Sequence, residues 1–210
     1  MLTTDGRVQA ARRRREGSRR RILEAAGILF ARDGYGATSV EAIAAQAGVG
    51  PATVYNCFGN KGALASHLFR KEAAALAEAA REEMERDLPA PKAFRHHSAR
   101  LQKMLEERRP LAAAMLTAIH ETSLGGGRPD SPKDPRRVLP LPAPLTEILG
   151  YGQTRGEFRP EIDPALVAGT VTNVLAINFL NRRTLAENDQ IIDLFLRGLE
   201  SAEAGENSAQ

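Results

Sequence analysis

The sequence predicts an all-α protein, with an N-terminal three-helix helix-turn-helix domain followed by a helical bundle. Three observations carry this. Apolar residues recur at helical period, no stretch alternates apolar and polar residues as a half-buried strand does, and Gly and Pro punctuate the chain at helix-length intervals. No internal repeat of 20–50 residues is present.

Residues 1–17 hold five arginines and almost no apolar side chains, and are expected to be a flexible arginine-rich arm. From about Ser18 a helix is predicted by Ile22, Ala26, Leu29 and Phe30, ending at Asp33-Gly34. Ser39 can cap a second helix carrying Val40, Ile43, Ala44 and Ala47, which Gly48 breaks. Pro51 then suits the first position of a short helix over 51–57, because its missing N–H has no intrahelical partner to lose. A long Ala- and Glu-rich helix is expected from Lys61 to Asp87, stopped by Pro89 and Pro91, with further helices at 92–107 and 110–124. Three consecutive glycines and six of the twelve prolines mark 125–144 as a loop. Helices over 145–152, 163–183 (started by Asp163-Pro164) and 187–200 complete the chain before a polar tail. The expected domains are thus 1–17, 18–61, 62–203 and the tail 204–210.

No apolar run approaches the ~18–20 residues needed to span a bilayer. Ile22–Phe30 follows an arginine cluster but is short, contains Glu24 and lacks a cleavage region, so a cytoplasmic protein is expected. The single Cys57 excludes an intrachain disulfide framework. It reads either as a redox sensor or as an inert small apolar residue. The net charge of +3 is uneven: residues 1–61 carry ten Lys/Arg against five Asp/Glu, and the remainder 19 against 21. A basic end joined to a neutral body suits a polyanion.

The stretch from Thr38 to Lys61, T-S-V-E-A-I-A-A-Q-A-G-V-G-P-A-T-V-Y-N-C-F-G-N-K, meets the local demands of two crossed helices. Ala44 is the small residue where they touch, Gly48 tolerates the turn's positive φ, and Val54 is the inward residue of the second helix. A recognition helix puts its N-terminal end near base edges. Pro51, Ala52, Thr53 and Asn56 are then exposed, with Val54 and Phe58 inward. Thr53 can bond a base or touch a thymine methyl, and Asn56 can contact adenine or phosphate.

F-A-R-D-G-Y (Phe30 to Tyr35), A-T-S-V-E-A-I-A-A-Q-A-G-V, P-A-T-V-Y-N-C-F and G-N-K together resemble the N-terminal domain of the tetracycline-repressor (TetR) family of bacterial regulators, over about 18–70. A looser likeness lies in G-Q-T-R-G-E-F-R-P-E-I-D-P (Gly152 to Pro164) and L-F-L-R-G-L (Leu194 to Leu199), while 71–150 matches nothing specific. The resemblance implies that Tyr55 and Lys61 bind phosphates and that Thr38 and Ser39 lie near the DNA backbone. Gly50 stands where the family usually has a capping side chain, which removes one cap or phosphate contact. Arginines 7, 12–15 and 19–21 flank this face, and read either as minor-groove contacts or as nonspecific phosphate attraction.

The helix at 163–183 is apolar almost all round, more than one core requires. With 187–200 it is expected to form a homodimer, as the resemblance also implies, binding a near-palindromic double-stranded DNA operator. The resemblance further implies a ligand cavity. Its candidate lining is Phe94, His97, Leu101, Met104, Met115, Ile119, His120, Asn173, Ile177 and Phe179, a set that favours a hydrophobic or amphipathic effector. His96, His97 and His120 lack ligand spacing, so neither metal nor cofactor is expected. With no nucleophile elbow, H-E-x-x-H or phosphate loop, the chain reads as a ligand-responsive repressor rather than an all-α enzyme. A constitutive DNA-packaging protein remains the other reading.

Overall fold

The computed structural model describes residues 3–125 and 131–200, which form eleven helices and no strand ladder. They fall into two compact units. One takes the described residues up to Arg70 together with Arg108–Leu139, and the other takes Lys71–Glu107 together with those from Pro140 onward.

In the first unit, α1 (Thr3–Ala37) leaves helical geometry at Gly34, with φ 80° and ψ 171°, where the sequence places its end. Its N-terminal turns correct the expectation of a flexible arm: residues from Thr3 to Gly17 are helical, and those from Gly6 to Glu16 are exposed all round. The physical reason is intrinsic propensity. Ala10, Ala11, Gln9 and the arginines are good helix formers, Arg12 pairs with Glu16 one turn on at 3.0 Å, and α1 already supplies the nucleus on which these turns propagate. The stripe Ile22, Ala26, Leu29 and Phe30 is buried as its period predicts.

α2 (Val40–Ala47) starts at Ser39, whose hydroxyl accepts the Ala42 N–H at 3.0 Å. It ends at Gly48 with φ 63°, and the Gly48 and Val49 amides return to Ala45 O and Ala44 O. α3 (Pro51–Phe58) begins with proline in its first turn and ends on Gly59 at φ 88°. The expected 61–87 helix is two helices, α4 (Lys61–His67) and α5 (Arg70–Glu85). At the joint, Leu68 and Phe69 donate to the carbonyls three residues back, Phe69 is wholly buried, and Arg108 donates to Leu68 O while stacking on the Phe69 ring. These tertiary contacts hold a tight turn that helix propensity alone would run through. α7 (Arg109–Leu124) packs on α1 and α4 and contributes Ala114 and Ala118 to the core that holds Ile43, Val54, Phe58 and Leu64. A domain boundary at 61/62 therefore cuts through one packed core.

Part of the expected 125–144 loop is ordered. α8 (Pro135–Val138) is capped by Asp134 and packs on α4, where Pro135 lies so close to Gly62 that an added Cβ would sit 2.8 Å from its ring.

The second unit contains most of α5, then α6 (Ala90–Glu107), α9 (Ala143–Thr154), α10 (Pro164–Leu180) and α11 (Leu185–Leu199). Phe94, Leu105, Leu145, Ile148, Leu149, Phe158, Val171, Leu175, Ile192 and Leu196 are its core. Asp163 caps α10 through the Ala165 and Leu166 amides, as its sequence promises. α10 stops at Leu180 rather than 183, and Arg182 turns the chain at φ 58°. α11 starts earlier than expected because Thr184 and Glu187 form a reciprocal capping box. The G-Q-T-R-G-E-F-R-P segment is a structural clasp. Phe158 fills the space a Cβ on Gly152 would need, and Gln153 Nε2 donates to the carbonyls of Arg159 and Ile162. The predicted tail 204–210 lies outside the described residues, and no described helix is long and apolar enough to cross a membrane.

Candidate nucleic-acid interface

α3 is anchored from below and open above. Val54 and Phe58 are buried while Pro51, Ala52, Tyr55 and Asn56 are exposed and Thr53 half-exposed, which places the outward residues where the spacing predicted. Gly50 gives no side-chain cap, and its carbonyl takes the Thr53 N–H at 2.9 Å. Tyr55 is 45% exposed.

Two residues given backbone roles by resemblance are committed elsewhere. Thr38 is only 2% exposed, and its hydroxyl donates to Gly34 O at 2.7 Å, closing the kink after α1. Its expected place at the DNA backbone is corrected accordingly, because a side chain satisfied inside the fold has no free donor to offer. Lys61 is half-buried. Its ammonium donates to Tyr35 O at 2.8 Å and Thr38 O at 3.1 Å and lies 4.2 Å from the Tyr35 ring centre. Two of its three donors thus hold the α1–α2 turn against α4. Burial, with the Glu121 carboxylate adding to it, pushes the Tyr35 hydroxyl up to about 12, so that ring stays neutral under the ammonium. Ser39 is exposed, and its oxygen serves as the α2 cap.

Sequence reasoning missed the staples that aim α3. Arg19 Nη1 donates to Cys57 O at 2.9 Å, its guanidinium lies 4.4 Å from the Phe58 ring centre, and Nη2 meets His67 at 3.2 Å. Arg21 Nε donates to Ala47 O at 3.1 Å, capping the end of α2. Two of the arginines grouped with the arm therefore fix both helices of the motif. A signal was present, since Arg19 precedes Ile22 and Ala26 by three and seven residues and shares their buried stripe. Burial, then the charges of Arg19 and Arg70, lowers the His67 pKa to about 4, so His67 meets Arg19 as a neutral ring. Asn60 was another unread signal; its Oδ1 caps α4 at the Ala63 N–H, 2.7 Å away. Cys57 is half-buried beside Asn56.

The ten candidate ligand residues divide between the two units. Met115, Ile119 and His120 stand on α7 in the first unit, and the other seven belong to the second. There, Phe94, His97, Leu101, Met104 and Phe179 are buried, while Asn173 and Ile177 lie on the exposed side of α10. Those two are therefore corrected from cavity to surface: the stripe through Leu166, Asn173, Ile177 and Leu180 keeps one helical phase, and burial occupies the opposite one. His97 is 2% exposed, and neither ring nitrogen finds a hydrogen-bond partner among the described residues. Burial lowers its pKa to about 4, with Arg100 adding to the effect and Glu83 opposing it, so the ring is neutral. Among the described residues no three His, Cys, Asp or Glu side chains gather as a metal site.

Residues 22–68 match the profile of the bacterial regulatory proteins of the tetR family. No curated protein matches the chain. Solved structures share its fold over most of their length. Thermus thermophilus FadR, described as a TetR-family transcriptional repressor in complex with lauroyl-CoA, is 23% identical with a TM-score of 0.67, covering 85% of this chain and 92% of that one. The fatty acid degradation regulator FadR from Bacillus halodurans is 23% identical with a TM-score of 0.61, covering 86% and 98%. The TetR-family regulator PfmR from Thermus thermophilus is 29% identical with a TM-score of 0.55, covering 86% and 99%. The segment that spans α1–α4 thus matches the tetR family profile, and the fold of these regulators is shared beyond that segment.

Proposed function

We propose that this protein is a cytoplasmic, ligand-responsive transcriptional repressor that binds a near-palindromic operator as a homodimer. The observation that carries the reading is α3 itself: Thr53 and Asn56 face outward from a helix whose other side is locked by Val54, Phe58 and the Arg19 staple. Rigid placement of a few polar side chains is what base readout needs. The dimer is supported by apolar residues left uncovered on the last two helices: Leu166 is 68% exposed and Leu194 71%, with Ile177 and Leu180 on the Leu166 stripe. Large apolar side chains gathered on one face mark an association surface.

The effector reading rests on the second unit. Phe94, Leu101, Met104 and Phe179 supply apolar surface, and neutral His97 supplies a polar group without a partner, a combination suited to an amphipathic molecule. Release requires the effector to bind the non-operator conformation more tightly than the operator-bound one. The joint at Leu68–Phe69, beside which the chain passes between the units at Arg70 and at Arg108, is the element we assign to that change.

Selection of bound duplexes from a random pool tests this. The expected result is enrichment of two inverted half-sites, whose spacing reports the dimer, followed by release with amphipathic compounds. Acyl-CoA thioesters are the first series to try, because a protein of this fold was solved with lauroyl-CoA. Uniform retention of all sequences would instead support a constitutive packaging protein, and turnover of a released compound would support an enzyme.

A further inference from the structure

The helical start of α1 gives the arginines outside the established motif a fixed position. Arg14, Arg15 and Ser18 line one cleft with Thr53, Asn56 and Cys57, so two cations stand beside the residues assigned to base contact. Arg7 lies seven residues before Arg14, about 20° from it in helical phase and about 10 Å along the axis, and extends the same row away from α3. Arg12 falls nearly opposite to Arg14 and is already paired with Glu16 at 3.0 Å.

Both elements are anchored to the core of the first unit. The helix runs unbroken from Thr3 to Asp33, is seated on the core by Ile22, Ala26 and Phe30, and is tied to the end of α3 through Arg19 and Cys57 O. The region is also crowded with like charge, since Arg70 and Arg15 both disfavour the charged form of Arg19, with burial the larger cause. Arg14 and Arg15 are exposed and make no ion pair among the described residues. A row of unpaired guanidinium groups held rigidly beside a groove-reading helix suits a row of phosphates.

We propose that Arg7, Arg14 and Arg15 form a second DNA-contacting row, a rigid rod that neutralises backbone phosphates flanking the bases read by α3, in place of a flexible arm that threads a minor groove. The proposal rests on the reading of α3 as the DNA-reading helix. Its ligand is duplex DNA backbone, and its contribution is independent of base sequence.

The test uses the full chain and the duplex enriched by selection, with affinity measured across a NaCl series. The R7A/R14A/R15A variant is expected to flatten the log–log salt slope by about 2.7, near 0.9 for each phosphate no longer neutralised, while keeping the wild-type base preference. R12A is expected to leave the slope unchanged. Gly17 lies between the row and the seated part of the helix, with open space around its Cα. Gly17→Pro is therefore expected to reproduce the slope loss of the triple variant, whereas Gly17→Ala, which stiffens the helix, tightens binding by about 2- to 5-fold. A triple variant with the wild-type slope overturns the proposal. So does a Gly17→Pro variant that retains the full slope, which is the signature of an arm needing no helix. Failure of the wild type to enrich any duplex has a different signature, and removes the reading of α3 together with this one.

Discussion

The two units differ in how their candidate sites are made. In the first, the residues assigned to DNA are consecutive on one short helix, and local rules suffice to orient them: a proline start, a glycine stop and an inward pair four residues apart. In the second, the residues assigned to an effector come from α6 and α10, far apart in sequence, and only packing decides which of them face inward. A site read from one helix is robust to error in the rest of the fold, whereas a site assembled from several is not.

The largest expected effect breaks the anchored side of this comparison. Phe58→Ala removes a fully buried ring that also carries the Arg19 guanidinium and meets His67 edge-on, and is expected to cost about 3–5 kcal/mol, read by chemical denaturation. Operator binding should fall with it. Phe94→Ala removes an equally buried ring from the second unit and is expected to cost a similar amount. If the units carry separate functions, its folded fraction keeps operator preference and loses effector response.

On the exposed side the expectation reverses. Thr53→Ala and Asn56→Ala should each change base preference at one operator position by about 1–3 kcal/mol, with an unaltered melting temperature. Should both variants select the wild-type operator, the orientation of α3 toward bases is wrong.

Between the helices, Gly48→Ala forces a Cβ onto a left-handed residue at φ 63° and should destabilise by about 1–2 kcal/mol although the space around it is open. Ser39→Ala, which removes the α2 cap, should cost about 1 kcal/mol.

Acid sharpens the comparison in both units. His67 and His97 titrate near 4 in the folded protein but near 6.5 once unfolded, so the unfolded chain binds more protons in between. Stability from both is complete above about pH 6.5 and drains away as the pH falls toward 4. A melting temperature independent of pH across that window would contradict the burial of both rings.

The helix-turn-helix was legible because its determinants are short-range. Ser39, Gly48, Pro51 and the stripe from Ile22 to Phe30 each act within a turn or two of chain, and the structure uses them as the sequence suggests. The same local logic overreached where side chains had a choice of partner. Thr38 and Lys61 have the donors a phosphate contact needs, but nearby carbonyls at Gly34, Tyr35 and Thr38 take the Thr38 hydroxyl and two of the three Lys61 donors. Residues 3–17 were misjudged in the opposite sense: lack of apolar content was read as disorder, although a good helix-forming sequence fused to a seated helix needs no core of its own.

What the sequence determined by itself was the all-α class, the two short helices of the helix-turn-helix segment and the outward faces of Thr53 and Asn56. All of these follow from backbone caps and periodicity that act locally. What only tertiary structure decided was the break at Leu68–Phe69, the commitment of Arg19 and Arg21 to holding α3 and α2, and the sorting of Phe94 and His97 inward from Asn173 and Ile177 outward. Those outcomes depend on which helix faces which, and a side chain's partner across tens of residues of chain is set by packing rather than by its neighbours in sequence.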